Sequence, residues 1–247
     1  MGYGVGGCGA PDEGVDEAVT SVREYRVRAS DGLRLRVEER SEDRAGPPLL
    51  LLHGFTGSVE AWGEQLLGCL ALRRRVLAVD FPGHGGSDVP GEPERYRMER
   101  VLDDLEELLD HAGAGRAVWA GYSMGGRVAL AAGVLRPARV AGLVLESASP
   151  GLEEAEARRE RRMSDEALAR RIERRGVEAF VDDWMELPLF SSQQRLADEV
   201  LEQERLRRLA QEPRGLAGAL RGLGTGRQPS FWDRLGEVEA PVLLLTG

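Results

Sequence analysis

The sequence has 247 residues, 42% of them hydrophobic, and a formal net charge of −9, which suits one large domain or a core carrying an inserted cap. All 33 basic residues are arginine and lysine is absent; the acidic balance argues against nucleic acid as the main partner. No apolar run approaches the ~18–20 residues that a membrane span needs, and the two cysteines, Cys8 and Cys69, are too few for a disulfide framework or a metal site.

The first residues, MGYGVGGCGAPDEGVDEAVTS, are Gly-rich and acidic. They have neither the basic flank nor the apolar run of a secretory signal, so residues 1–22 are expected to be a disordered tail and the location to be the reduced cytoplasm. Tyr25–Arg28 and Leu33–Glu38 alternate on either side of Ser30-Asp31-Gly32, the pattern of a hairpin. Leu49 to Leu52 is a continuous apolar run, as expected of a strand buried on both faces of a parallel sheet. It leads into His53-Gly54-Phe55-Thr56-Gly57. Val59 to Leu72 then has helical spacing, with Trp62, Leu66, Leu67 and Leu70 on one side.

The alternation repeats. Arg75 to Asp80 reads as a strand followed by the loop Phe81–Asp88, and Met98 to His111 as an amphipathic helix. Ala117–Ala120 is a strand, Met124–Leu135 a helix stopped by Pro137, and Val140–Glu146 a further strand. Strands alternating with helices predict an α/β fold with a parallel, doubly wound sheet. From Glu153 to about Gly222 the pattern is almost wholly helical, and a strand returns only at Pro241–Leu245. The expected organisation is a core over 23–151, an all-helical cap over 152–226 and a return to the core over 227–247. Ligands bind at the strand C-terminal ends that such a cap would cover.

Gly121-Tyr122-Ser123-Met124-Gly125 matches G-x-S-x-G between a strand and a helix. A serine on so sharp a turn leaves no room for side chains two positions either side, hence the glycines. The Met124 N–H then faces an oxyanion site at a helix N-terminus, and the loop after the earlier strand would supply the Phe55 N–H as the second donor. Ser123 is therefore the candidate nucleophile or base; the competing reading is an ordinary glycine-rich turn. The usual chain order is Ser, acid, His. The only histidines, His53, His84 and His111, all precede Ser123. His53 is expected to serve the oxyanion loop, His84 its own turn, and His111 a helix C-terminus. Asp103 and Asp104 lie on a helix face and make poor substitutes for a triad acid. The expectation is a C-terminal truncation, with acid and histidine outside the sequence and activity impaired.

LLHGFTGSVEAW (51–62), VDFPGHGGSD (79–88), GYSMGGRVAL (121–130), ESASPGL (146–152), RRERRMSD (158–165), DDWMELPLF (182–190) and QERLRR (203–208) together resemble the 2-succinyl-6-hydroxy-2,4-cyclohexadiene-1-carboxylate synthases of menaquinone biosynthesis, lyases on the α/β-hydrolase fold. That resemblance implies loss of pyruvate from 2-succinyl-5-enolpyruvyl-6-hydroxy-3-cyclohexene-1-carboxylate, with no cofactor and no metal. Ser123, activated by a histidine, would act as the base, and the oxyanion hole would hold the enolate oxygen. It carries over Arg127, Arg161 and Arg205 as carboxylate binders, Trp184 as an apolar wall, and His53 and Tyr122 as further substrate contacts. Arg127 lies one helical turn beyond Ser123, so its head can lie near the serine; a solvent-facing arginine is the commoner outcome. Arg207 and Arg208 adjoin Arg205 and leave the register open. A substrate with three carboxylates calls for guanidinium forks in any case. Two other readings stand beside this one: a serine esterase or carbon–carbon bond hydrolase of the same fold, and a non-catalytic ligand-binding member.

Overall fold

The computed structural model describes residues 21–41, 46–191 and 193–246. Most of the predicted tail, residues 1–20, lies outside the described residues. Its last two, Ser21 and Val22, do not belong to a tail: they open the first strand.

That strand, β1 (Ser21–Arg28), pairs antiparallel along its whole length with β2 (Arg34–Ser41). The hairpin is longer than the alternation alone predicts because both strands continue into charged residues that the pairing satisfies. β3 (Leu49–Leu52) and β4 (Val76–Val79) are buried at every position. Their side chains divide by period two, as strand geometry requires. Leu50, Leu52, Leu77 and Val79 join the larger core cluster. Leu49, Leu51, Val76 and Ala78 face Leu67 and Ala71 of α1 (Glu64–Ala71). The predicted helix over 59–72 is divided: Val59–Trp62 is a 3-10 turn, and Gly63, at φ 68°, separates it from α1.

α2 (Met98–His111) buries Val101, Leu102, Leu105, Leu108 and Leu109 on one stripe. β5 (Ala117–Tyr122) leads through Ser123 into α3 (Met124–Leu135), which is buried over nearly its whole length. β6 (Val140–Glu146) follows, and β7 (Val242–Leu245) closes the described part of the sheet. The strand order is β1-β2-β4-β3-β5-β6-β7, with the pairs from β4 to β7 parallel.

Between β6 and β7 the chain forms α4 (Ala155–Met185), α5 (Asp198–Leu209) and α6 (Pro213–Leu223). Gly176, at φ 80° and ψ 174°, breaks α4. Ile172, Phe180, Val181, Leu216 and Leu220 give these helices a small core of their own. α6 seats on the loop after β4 by close backbone approach: a Cβ at Gly215 would lie 2.0 Å from the Gly83 carbonyl oxygen.

Candidate functional site

Ser123 sits where β5 ends and α3 begins, with φ 50° and ψ −107°. Such a conformation is strained for a residue with a Cβ and persists only where its surroundings force it. Here they do. A Cβ on Gly121 would lie 2.3 Å from the Gly125 backbone, and one on Gly125 would lie 2.0 Å from the Leu52 carbonyl oxygen. The Ser123 N–H donates to the Glu146 carbonyl at 2.8 Å, tying the turn to the end of β6.

Ser123, Phe55 and Met124 line one cavity of about 440 Å³ beneath α4, α5 and α6. The Met124 N–H belongs to the first turn of α3, where no intrahelical acceptor exists. The Phe55 N–H donates to no backbone carbonyl among the described residues. Two donors of this kind beside a serine can hold an oxygen on which negative charge develops.

A buried carboxylate fixes the Phe55 loop. Asp80 is wholly buried, accepts hydrogen bonds from the N–H groups of Val59 (2.7 Å) and Gly86 (2.8 Å), and meets Arg36 at 3.2 Å. It thereby joins the loops after β3 and β4. Burial pushes its carboxyl pKa upward against these hydrogen bonds.

The structure places His53 elsewhere than expected: it is buried and does not line the cavity. It is buried behind the Phe55 loop. Its Nδ1 faces the Gly54 carbonyl oxygen at 2.8 Å, and its Nε2 accepts the Phe81 N–H at 3.1 Å. Those two bonds require the neutral Nδ1–H tautomer, and burial lowers its pKa to about 4. His84 packs tilted against it, ring centroids 5.1 Å apart, and does not line the cavity either. His111 ends α2 against Tyr25. Asp103 pairs with Arg136 and Asp104 with Arg95, so both acids are engaged in structural pairs.

Tyr122, Arg127, Arg161 and Trp184 all line the cavity with Ser123. The Tyr122 ring rests on the Phe55 loop, where a Cβ at Gly54 would lie 2.7 Å from it. Burial raises its pKa, and the Glu146 carboxylate adds to the rise. Trp184 packs edge-on against Phe55, and Phe180 and Phe190 complete the aromatic wall. Arg127 is 9% exposed and donates from Nη1 to the Leu223 carbonyl (3.0 Å) and to Gln228 Oε1 (2.9 Å). Desolvation, followed by the nearby Arg161 charge, draws its pKa down to about 10. Arg161 donates from Nε to Asp165 at 2.7 Å.

Arg205 is placed elsewhere, a second correction. It reaches Asp182 at 3.0 Å on the outside of the helices and does not line the cavity. Three residues further along α5, Arg208 turns inward with Arg207, and both close on Glu204, which also lines the cavity. Arg208 reaches the Glu204 carboxylate at 2.7 Å and lies over the Phe190 ring. Four guanidinium groups thus face one carboxylate around a serine and two backbone donors. Sequence spacing pointed to this turn of α5, but which arginine faces inward depends on the helix's rotation about its axis. Gln228 carried no motif at all.

Among the described residues no group of three or more His, Cys, Asp or Glu side chains is placed to hold a metal ion. No helix there is long and apolar enough to cross a membrane.

Comparison with known proteins agrees with this geometry. The family model for the alpha/beta hydrolase fold matches residues 47–247. A protein of Bacillus subtilis (strain 168) named for 2-succinyl-6-hydroxy-2,4-cyclohexadiene-1-carboxylate synthase activity is 43% identical over 221 residues, covering 90% of this chain and 80% of its own length. The synthase of Salmonella schwarzengrund (strain CVM19633) is 33% identical over 225 residues, covering 87% and 82%. Among solved structures, MenH from S. aureus superposes with a TM-score of 0.78 at 35% identity, covering 84% of this chain and 78% of that one. A thermophilic esterase from Thermogutta terrifontis, with malate bound, superposes with a TM-score of 0.76 at 31% identity, covering 91% and 80%. The chain spans about four-fifths of the relatives' length, and by sequence and fold it belongs to the α/β-hydrolase fold family and, within it, to the 2-succinyl-6-hydroxy-2,4-cyclohexadiene-1-carboxylate synthases.

Proposed function

We propose that this protein eliminates pyruvate from 2-succinyl-5-enolpyruvyl-6-hydroxy-3-cyclohexene-1-carboxylate to give 2-succinyl-6-hydroxy-2,4-cyclohexadiene-1-carboxylate, a step of menaquinone biosynthesis. The observation that carries the reading is the charge of the Ser123 cavity: among the described residues, Arg127, Arg161, Arg207 and Arg208 face the single carboxylate of Glu204. A cavity with that excess of guanidinium suits a polyanion, and this substrate has three carboxylates. An esterase of neutral acyl substrates has no use for it.

The chemistry assigned to each group follows. The Ser123 oxygen takes the proton from the ring carbon that bears the succinyl group. The electron pair moves onto the succinyl ketone oxygen, which the N–H groups of Phe55 and Met124 stabilise. As the ketone re-forms, the first new double bond appears, the existing ring double bond shifts by one position, and the C–O bond to the enolpyruvyl group breaks. The released enol becomes pyruvate. No water is added, so the dry aromatic wall of Phe55, Trp184 and Phe190 also guards against side reactions. A serine hydroxyl needs a partner to take its own proton. None of the three imidazoles in the sequence lines this cavity, so the cavity residues named here account for binding and charge stabilisation.

Helices over 152–226 act in this reading as a lid that carries Arg161, Trp184 and Arg208 to the serine. A cytoplasmic location goes with it, since the sequence has only two cysteines and no disulfide framework. The test is incubation of the gene product with the enolpyruvyl substrate, following pyruvate with a coupled reduction. Pyruvate release above the spontaneous rate, lost in Ser123→Ala, is expected. Hydrolysis of aryl esters with no pyruvate release would favour the esterase reading instead.

A further inference from the structure

The chain leaves the core for the helices at Ser149–Glu153 and returns at Gly224–Trp232, and these two junctions are bound to each other. The Phe231 N–H donates to the Pro150 carbonyl at 2.8 Å, and Trp232 Nε1 to the Gly151 carbonyl at 3.0 Å. Arg162 of α4 donates to the Gly226 carbonyl at 3.0 Å. Gln228 lies at the centre of this seam, 2% exposed. Its Nε2 donates to the Ser149 carbonyl at 3.2 Å, and its Oε1 accepts from Arg127 Nη1 at 2.9 Å. The carbonyl on one side and the guanidinium on the other allow only this orientation of the amide.

The nature of Arg127's partners is the informative part. A buried arginine is ordinarily paired with a carboxylate, because an uncompensated buried charge is costly. Arg127 is buried, yet both of its hydrogen-bond acceptors, the Leu223 carbonyl and the Gln228 amide, are neutral. Asp165, the acid that acts on it electrostatically, gives its Oδ1 to Arg161 and makes no hydrogen bond to Arg127. Arg127 thus lines the Ser123 cavity with no carboxylate hydrogen-bonded to it.

We propose that Gln228 is the positioning residue that orients Arg127 toward a substrate carboxylate without neutralising it, and that its being an amide rather than an acid sets the site's selectivity for anions. The proposal rests on the reading of the cavity as a polycarboxylate site. It adds that anion affinity depends on the charge state of a residue that need not touch the substrate, at the seam that also anchors the lid.

The experiment compares Gln228→Glu with Gln228→Met. The glutamate keeps the shape and the acceptor for Arg127 but adds a charge. The methionine removes the acceptor and leaves Arg127 charged. Citrate serves as a tricarboxylate probe, its binding read from the fluorescence of the cavity tryptophan, alongside KM and kcat for pyruvate release and thermal melting. Q228E is expected to weaken citrate at least tenfold and to raise KM by a similar factor, with kcat within threefold of the parent. Q228M is expected to lose less affinity than Q228E while melting at the same temperature or lower. A purely structural Gln228 would give the reverse order, with Q228M the worse binder, and that result overturns the proposal, as does unchanged affinity in Q228E. Should Q228E lack a cooperative melt, Gln228→Asp places the same charge on a shorter side chain and carries the same expectation and the same refutation. The citrate arm stands apart from turnover: citrate binding with no pyruvate release would sink the proposed reaction and leave the role of Gln228 intact.

Discussion

The ring of Phe55 meets the indole of Trp184 edge-on, with centroids 5.5 Å apart and planes at 75°. One belongs to the loop after β3 and the other to α4, so this contact, with that of Phe55 to Phe180, couples the position of α4 to the position of the Phe55 N–H. Edge-to-face pairs of this kind add about 0.5–1.5 kcal/mol beyond their buried area. Trp184→Ala should therefore act on both stability and catalysis. A loss of roughly 2–3 kcal/mol is expected, below the ~3–5 kcal/mol of a fully buried tryptophan because Trp184 is half-buried. Trp184→Phe should recover most of it. Denaturant melts give the first quantity, and kcat/KM, expected to fall at least tenfold in W184A, gives the second.

Two glycines test whether the elbow is enforced by sterics. Gly125→Ala would place a methyl 2.0 Å from the Leu52 carbonyl oxygen, where backbone cannot give way cheaply. A destabilisation of at least ~3 kcal/mol is expected. Gly68, in the middle of α1, has nothing within 4 Å of a Cβ. Gly68→Ala should stabilise by about 0.5–1 kcal/mol through helix propensity. Thermal melts of the two variants should move in opposite directions; a shared direction would mean that the elbow's glycines are not required by packing.

Sequence patterning located the elbow and the parallel strands because both are local. Leu49–Leu52 and Val76–Val79 are apolar at every position since helices cover both faces of the sheet, and G-x-S-x-G needs only its flanking strand and helix. The lid was legible as a helical block but not in its facing. Arg205 and Arg208 share one charged helix with no buried residue to fix its orientation, so nothing in the sequence says which arginine turns inward. His53 lies in a motif beside the site and is nonetheless shut behind it, because the imidazole is consumed by the Gly54 carbonyl and the Phe81 N–H. Gln228 meets Arg127 from 101 residues away through a loop with no periodicity.

The facing of α5 gives a third prediction. Arg208→Ala removes a cavity guanidinium, whereas Arg205→Ala removes one tied to Asp182 outside it. KM should rise at least tenfold in R208A and stay within twofold in R205A. Glu204, the cavity's one carboxylate, holds both Arg207 and Arg208. Glu204→Gln should release them to the substrate and lower KM severalfold. A large KM effect in R205A with none in R208A would mean that α5 is rotated relative to this arrangement.

The adjoining buried pair His53 and His84 sets the response to acid. Both are fully buried, and desolvation lowers their pKa values to about 4 and about 3. Their unfolded values lie near 6.5. Below that point the unfolded chain binds protons that the folded chain refuses, so folding stability is whole above about pH 6.5 and falls as pH drops toward 4. Each histidine contributes a slope of up to about 1.4 kcal/mol per pH unit. His84 Nδ1 bonds the Pro82 carbonyl, and its Nε2 has no hydrogen-bond partner among the described residues. His84→Gln can keep that bond while removing the titration. Urea melts between pH 7.5 and 4 should show the slope of the parent roughly halved in H84Q. An unchanged slope would mean that the acid response comes from the carboxylates held low by arginine, such as Glu166 and Glu173 beside Arg221. Their contribution is full above about pH 4.5 and disappears only as pH falls through their lower folded values, so the two sources separate by pH window.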